Sequence, residues 1–231
     1  MKPKVLIFHL LLLFLISSCC VYHPQTADIP LIKRKNDLRI DAGISLIPTM
    51  HSTISYGLTN KIAIQVYAST SGDERKYLHL ATGLYKAYEN QIVMELYGGF
   101  GYGYGDAYKD SNPGNLYGNY QIYFLQYNMG NYSNKSGHLE FGFGIKSGYF
   151  HSNLTDRNYY SWGSETGPYI SYKENSLLLE PQAFFRIGGE RLKFSFKAGG
   201  CRIFKLTHPN IFIPTANLNI GLGLNYSPKF K

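Results

Sequence analysis

The sequence predicts an all-β protein that folds as a single closed antiparallel up-and-down transmembrane β-barrel of about ten strands. The first observation is composition: 21 Tyr, 14 Phe and 24 Gly among 231 residues, with only 16% charged residues, favour strands and turns over helices. The second is a period of two in ten separate segments, and the third is the contrast between short and long connections. No apolar run after residue 18 is long enough for a membrane-spanning helix.

The N-terminus has the layout of a signal peptide over residues 1–18. Lysines near the start precede an apolar run at 5–16 and two small residues, which is the order that secretory signals show. The string Ile16-Ser17-Ser18-Cys19 resembles the bacterial lipobox. That resemblance implies cleavage before Cys19 and attachment of lipid, including palmitate, at this residue. The alternative is an ordinary secretory signal that is cut near Ser18 and followed by two incidental cysteines.

The segment 19–36 is predicted to be a lipidated tether, because it contains two prolines and no sustained period. Cys201 is predicted to face inward on a strand, far from Cys20 at the lipid surface, so no disulfide framework is expected. The cysteines lack metal-binding spacing, and His79 and His208 have no partner at such spacing. The sequence therefore predicts neither a metal nor a cofactor.

The charge of the chain favours lipid over nucleic acid as a partner. The formal net charge is +8, and about +6 remains once residues 1–18 are removed with their two lysines. An exported basic chain is expected to meet anionic lipid head groups and not nucleic acid. The cluster Lys33-Arg34-Lys35 lies just before the first predicted strand. It either contacts a membrane surface or forms a solvated linker.

Residues 37–231 are predicted to form the barrel, beginning with five alternating strands. Each has aliphatic or aromatic residues on one face and polar residues or glycine on the other, which is the pattern of a wall with two different sides. The turn at Asn60-Lys61 separates the second strand from the third. The five predicted strands span Leu38–Leu46, Ile54–Leu58, Ile62–Ser69, Tyr77–Tyr85 and Ile92–Tyr104.

The second five strands include the clearest alternation of the chain, at Leu139–Tyr149. Its odd positions are mostly bulky and apolar, and its even positions are glycine or charged. The strand before it, Tyr120–Asn128, is the least regular because it is aromatic on both faces. The last three predicted strands span Leu177–Ile187, Leu192–Gly200 and Leu218–Tyr226.

Connection lengths favour a membrane barrel, which has short turns on the periplasmic side and long loops outside. The even-numbered connections are short, at about 59–61, 86–91, 131–138 and 188–191. The odd-numbered connections include the long ones, at Asp106–Gly118, Asn153–Asn175 and Lys205–Ala216. With ten strands both ends face the periplasm, so the tether is expected to reach a lipid in the inner leaflet.

On these features the chain resembles the small outer-membrane β-barrel proteins of Gram-negative bacteria, and more narrowly a group of poorly characterised lipoprotein barrels. The shared features are the lipobox cysteine, a tether ending in Pro30-Leu31-Ile32-Lys33, the strand start Asp37-Leu38 and the hairpin Tyr56–Lys61. The C-terminal Pro228–Lys231 departs from the usual terminal aromatic residue. The resemblance implies an outer-membrane location in the cell envelope, lipid contact, and the barrel-assembly machinery as a partner.

The bulky apolar face is predicted to point outward into lipid, because ten strands leave less room inside than outside and the glycines share the charged face. Charges in a lumen need partners, and five positive and four negative residues nearly balance. A soluble calyx with the apolar face inward is the alternative. Tyrosines at strand ends (Tyr56, Tyr85, Tyr104, Tyr149 and Tyr226) are expected to form interfacial girdles. The predicted lumen charges are Arg39, Asp41, Glu95, Glu140, Lys146, Glu180, Arg186, Lys193 and Lys197.

Candidate catalytic residues are sparse. His151 and Ser152 lie where the seventh strand is predicted to meet the longest loop, and some outer-membrane lipid A deacylases carry a His and a Ser close together at such a rim. Adjacent strand residues point to opposite faces, and no carboxylate partner can be assigned, so a plain loop is favoured over a catalytic site. The glycine-rich Tyr97–Gly105 is not a phosphate loop, because no helix follows it.

The sequence thus predicts an outer-membrane barrel lipoprotein with a structural or surface-interaction role and without catalysis. Three alternatives remain open: a lipid A-modifying hydrolase at the rim, a narrow pore lined by the lumen charges, and a soluble lipid-binding calyx. The charges are favoured as a plug of salt bridges over a conducting path. The pattern does not predict an extracellular ligand.

Overall fold

The computed structural model describes residues 21–22, 28–45, 49–72, 74–107, 116–132, 139–156, 170–208 and 218–228. These residues contain eleven β-strands in one antiparallel sheet. No helix in this part of the chain is long and apolar enough to cross a membrane. In chain order the strands are β1 (Leu38–Ser45), β2 (Thr49–Gly57), β3 (Ile62–Ser71), β4 (Arg75–Ala87), β5 (Ile92–Asp106), β6 (Leu116–Tyr132), β7 (Leu139–Asp156), β8 (Ile170–Gly188), β9 (Leu192–Gly200), β10 (Arg202–Lys205) and β11 (Leu218–Tyr226).

The sheet closes into a barrel because its first and last strands pair, with Ile40 of β1 facing Tyr226 of β11. β9 and β10 pair with β8 in one continuous register on either side of Cys201. They are therefore two parts of one wall strand, and the described strands form a wall of ten. The predicted fold, a closed antiparallel up-and-down barrel of about ten strands, is confirmed.

Side chains alternate along the strands between exposed apolar residues and buried polar ones. In β7, Phe141 and Ile145 are 52% and 44% exposed, whereas Glu140 and Lys146 are 2% and 1% exposed. The bulky apolar side chains therefore point away from the barrel axis, and the charged ones point toward it. This is the orientation that the relative volumes of the two faces predict.

Three wall strands are longer than their sequence pattern suggests. β6, β7 and β8 have 17, 18 and 19 residues, whereas a transmembrane strand needs about 9–11. The loop predicted at 153–175 is therefore partly wrong, because β7 continues to Asp156 and β8 begins at Ile170. Polar residues such as His151 and Asn175 face each other there. The apolar alternation ends at that level, but the backbone pairing continues beyond it.

The tyrosines at strand ends do not all face outward. Tyr149 and Tyr226 are exposed on the outer face. Tyr85, by contrast, is buried, and its hydroxyl donates a hydrogen bond to the Thr59 carbonyl at 2.5 Å. Its predicted place in an interfacial girdle is wrong, because Tyr85 shares the strand phase of the inward-facing Tyr77.

The described residues that precede β1 lie inside the barrel. Val21, Tyr22 and residues 28–32 are buried and contact inward-facing wall residues. The segment that the sequence predicts to be an external tether therefore has these residues in the lumen, while Cys19 and the signal peptide at 1–18 lie outside the described residues. We call Val21–Tyr22 together with residues 28–33 the lumen segment.

Candidate functional site: the lumen and its N-terminal segment

We call the end of the barrel at which β1 begins the lower end, and the end that carries the long connections the upper end. Tyr22 holds the upper part of the lumen segment. Its hydroxyl donates a hydrogen bond to Glu180 Oε1 at 2.7 Å. Its ring packs edge-on against Tyr120 and Phe150, with 5.4 Å between ring centroids in both pairs. Buried aromatic pairs of this geometry contribute about 0.5–1.5 kcal/mol beyond the area they bury. Tyr22 is thus anchored to three neighbouring wall strands, β6, β7 and β8.

The lower part is held through its backbone. The Ile32 N–H donates to Glu95 Oε1 at 2.7 Å. The Asp28 carbonyl accepts a hydrogen bond from Gln126 Nε2 at 3.0 Å, and the Ile29 carbonyl accepts one from Arg186 Nη2 at 2.7 Å. Because an extended chain without sheet partners leaves its backbone groups unsatisfied, these wall side chains supply partners that burial requires.

Inward-facing glycines make room for this segment. A Cβ added at Gly105 would overlap the backbone of Val21. A Cβ at Gly130 would lie 2.8 Å from Leu31 Cδ2, and one at Gly144 would lie 3.1 Å from Ile29 Cδ1. These glycines occur on three different strands, β5, β6 and β7. The inner face of the wall therefore has its smallest residues where the N-terminal chain passes.

Leu31 adopts a backbone conformation that its side chain disfavours, with φ at 57°. A non-glycine residue held in such a region costs roughly 1–3 kcal/mol. The Leu31 side chain is fully buried in a cluster with Ile29, Val93 and Phe184. Burial of a leucine contributes roughly 1.5–3 kcal/mol, which is comparable to the cost of the strain. The surrounding wall therefore specifies the path of the lumen segment closely.

All nine charged residues that the sequence assigns to the lumen are buried, at 4% exposure or less. They fall into groups at different heights of the barrel. The lowest group centres on Glu140, whose carboxylate lies 3.4 Å from Arg39 Nη1, 3.5 Å from Arg186 Nη1 and 3.4 Å from Lys193 Nζ. One carboxylate thus serves three wall cations, which come from β1, β8 and β9.

The lumen segment contributes a fourth cation to that group. Lys33 Nζ lies 3.9 Å from Glu140 Oε1 and 4.0 Å from the centroid of the Tyr132 ring. Lys33 precedes β1 at the barrel mouth. Together with Arg39, Arg186 and Lys193, it makes the lower mouth rich in cationic side chains.

Two further groups lie higher in the lumen. Lys197 and Asp41 form an ion pair across β9 and β1, and Lys197 Nζ also lies 3.2 Å from His51 Nε2. Above them, Lys146 Nζ lies 3.3 Å from Glu180 Oε2, the carboxylate that also accepts from the Tyr22 hydroxyl. Lys146 and Glu180 are partners on neighbouring strands, and β1 and β9 are separated only by β11, so each buried charge finds its partner on a nearby part of the wall.

Sequence reasoning missed the uncharged members of the site. Gln126 contacts the lumen segment, and Asn128 donates to Glu95 Oε2 at 3.0 Å. Both lie on β6, together with the inward-facing Tyr120 and Phe124. The signal that could have revealed them is the presence of aromatic residues on both faces of β6. Its inner aromatics pack against the lumen contents and not against lipid.

At the upper rim, His151 and Ser152 lie within β7 and point to opposite faces. The His151 Nδ1 atom lies 2.6 Å from Asn175 Oδ1 on the neighbouring strand. Ser152 is fully buried, and its hydroxyl donates to the Glu174 carbonyl at 3.5 Å. The predicted placement of this pair in a loop is therefore wrong. Their opposite directions deprive the pair of the nucleophile and base contact that acyl-transfer chemistry needs.

Glu174, which the sequence analysis did not single out, organises the same rim. Its carboxylate accepts hydrogen bonds from the backbone N–H groups of Leu206, Thr207 and His208 at 3.0, 3.1 and 2.7 Å. It thereby ties the chain after β10 to β8. The described residues contain no cluster of three or more potential ligands that could hold a metal ion.

Comparison with known proteins shows similarity to solved barrels. No protein-family profile matches the chain, and no curated protein matches it. The N-terminal β-barrel domain of Pseudomonas aeruginosa OprF is 13% identical, with a TM-score of 0.37 over 84% of this chain and 98% of that one. The outer membrane protease OmpT from Escherichia coli is 10% identical, with a TM-score of 0.49 over 83% of this chain and 93% of that one. The KdgM porin in complex with disordered oligogalacturonate is 10% identical, with a TM-score of 0.40 over 84% of this chain and 99% of that one.

Proposed function

We propose that this chain is an outer-membrane β-barrel lipoprotein whose lumen is closed by its own N-terminal segment. Its role is structural or one of surface interaction, without catalysis. The observation that carries the proposal is the set of contacts between the lumen segment and buried wall charges, in particular Tyr22 with Glu180, Ile32 with Glu95 and Ile29 with Arg186. In a pore with an open path, water would hydrate these charged groups. In this chain the N-terminal segment is their hydrogen-bond partner.

The outer face supports the membrane location. Large apolar side chains are exposed on every wall strand, and a soluble protein rarely exposes a contiguous apolar surface of that extent. In a bilayer the same belt is covered by lipid, and the closed sheet leaves no unpaired edge there. Examples from four different strands are Ile44, Leu80, Phe194 and Leu222.

A matched pair of substitutions tests this location. Leu80, in the middle of β4, and Leu206, just after β10, are 58% and 57% exposed. In water, Leu80→Arg and Leu206→Arg should both be nearly neutral. In a bilayer, arginine at the apolar belt costs about 2–4 kcal/mol, while arginine beyond it costs about 0–1 kcal/mol. We expect Leu80→Arg alone to lower the free energy of unfolding, measured by denaturant titration in lipid vesicles.

Equal small effects of the two arginines would favour the soluble calyx and contradict the membrane location. A gel of unheated and heated detergent extract gives an independent readout, because a folded membrane barrel migrates faster before heating.

Lipidation at Cys19 is tested by metabolic labelling with radioactive palmitate. We expect the wild-type chain and Cys20→Ser to be labelled, and Cys19→Ser to lose the label and to retain an uncleaved or differently cleaved signal segment. The Cys20→Ser variant is the matched control, since it alters the neighbouring thiol and leaves the lipobox intact. Label that persists in Cys19→Ser would contradict this part of the proposal.

A further inference from the structure

The direction in which the lumen segment runs determines where the mature N-terminus emerges. Lys33 lies at the mouth where β1 begins, beside Glu140 near the start of β7. Asp28 is bonded by Gln126, further along the wall, and Tyr22 is bonded by Glu180 and packed on Phe150, further still. The described parts of the lumen segment therefore lie at successive heights of the barrel, from its lower mouth toward the opposite end.

Val21 lies at the opposite end from that mouth. Its backbone occupies the space next to Gly105, one residue before the end of β5. β5 begins at Ile92, and at about 3.3 Å per residue the strand from Ile92 to Gly105 is roughly 40 Å long. With the strand tilt typical of barrels, this corresponds to roughly 30 Å along the axis, the thickness of a bilayer core.

Cys19 precedes Val21 by two residues, and two residues of chain span at most about 7 Å. A lipid on Cys19 is therefore tied to the end of the barrel that carries the long connections after β5, β7 and β10. Two tyrosines of β5 lie at the same level: Tyr102 is exposed on the outer face, and Tyr104 directly precedes Gly105. The sequence-based expectation of an inner-leaflet lipid does not fit this geometry.

We propose that the barrel threads its own N-terminus to the cell surface, so that acyl chains on Cys19 insert into the outer leaflet beside the long connections. This inference rests on the proposed function, since it takes the lipidation of Cys19 and the membrane location as given. The lumen segment then connects the barrel wall to a lipid anchor on the cell-surface side. The anchor and the barrel secure each other, because the threaded chain cannot withdraw while its lipid is embedded on the far side.

The test places a short epitope between Cys20 and Val21 of the full chain and probes intact cells with antibody. We expect binding to intact cells equal to that of the same epitope placed within 108–115. An epitope after Lys231 should bind only once the envelope is permeabilised. Detection of the N-terminal epitope only after permeabilisation would overturn the proposal.

A crosslink in the same epitope-carrying chain tests whether the lower part of the lumen segment lies against the inner wall. Leu31→Cys and Gly130→Cys place two thiols side by side, because a Cβ at residue 130 lies 2.8 Å from the Leu31 side chain. Cys20→Ser and Cys201→Ser remove the competing thiols. A disulfide together with surface binding supports the proposal. A disulfide with a hidden epitope overturns surface delivery and leaves the closed lumen intact, whereas absence of the disulfide overturns both.

A bulky side chain in the path of the lumen segment provides the opposite control. Gly130→Phe fills the space of Leu31, and Gly98→Phe adds the same ring on the outer face, where a Cβ meets only Leu125 at 3.5 Å. We expect loss of surface binding in Gly130→Phe and no loss in Gly98→Phe. Surface binding that survives in Gly130→Phe would contradict passage of the N-terminus through the lumen.

Discussion

Deletion of residues 21–32, which joins Cys20 directly to Lys33, is expected to convert a silent barrel into a conducting one. The deletion removes the buried side chains that lie between the walls and frees Glu95, Arg186 and Glu180 from their contacts with the segment. Water can then hydrate these charges along a continuous path. In planar bilayers we expect no discrete conductance steps for the wild-type chain and clear steps for the deletion.

The open barrel should prefer anions. The lower mouth retains the four cations of Arg39, Arg186, Lys193 and Lys33 against the two carboxylates of Glu140 and Asp37. A constriction lined by one sign of charge concentrates the opposite ion. The reversal potential in a salt gradient measures this preference. A conducting wild-type chain would contradict closure by the lumen segment, and a silent deletion variant would show that the wall side chains alone fill the lumen.

Removal of the Glu140 carboxylate is expected to give the largest loss of stability among point substitutions in the lumen. Glu140→Ala leaves the cations of Arg39, Arg186 and Lys193 buried without their shared partner. Breaking a buried pair from one side typically costs about 3–5 kcal/mol, because an uncompensated charge stays behind. The free energy of unfolding in lipid vesicles measures the loss.

Two further variants separate this electrostatic cause from loss of packing. Glu89→Ala removes an exposed carboxylate from the connection between β4 and β5 and should change stability by about 0.5 kcal/mol or less. Lys193→Met in the Glu140→Ala background removes one stranded cation and should recover part of the loss. If the double variant is no more stable than Glu140→Ala, charge balance does not hold this cluster together.

The strand pattern could be predicted because it is a local property. Alternation with a period of two follows from the pleated backbone and needs no knowledge of distant residues. It correctly indicated that Phe141 and Ile145 face one side and that Glu140 and Lys146 face the other. The same local pattern could not predict how far β7 and β8 extend, since beyond the apolar belt their outer faces turn polar while the backbone pairing continues.

The irregular pattern of β6 illustrates the limit. Aromatic residues on both of its faces gave no clear direction in the sequence, because a wall strand between lipid and a polar lumen should have one apolar face. The structure explains them: Tyr123 and Leu125 face outward, whereas Tyr120 and Phe124 belong to the buried cluster that surrounds Tyr22. On the inner face, Tyr120 packs on Tyr22 of the N-terminal chain and Phe124 packs on His79 of β4.

The sequence by itself determined the closed barrel, the inward direction of its charges and the outward direction of its bulky side chains. Only the tertiary structure decided what those charges bind. The contact of Tyr22 with Glu180 joins residues 158 positions apart, and that of Arg186 with Ile29 joins residues 157 apart. Which residues meet across a lumen depends on the tilt and stagger of all ten wall strands together, and alternation along a single strand carries no information about either. The lack of periodicity in the N-terminal segment therefore predicted a free tether, although the folded barrel encloses the described part of that segment.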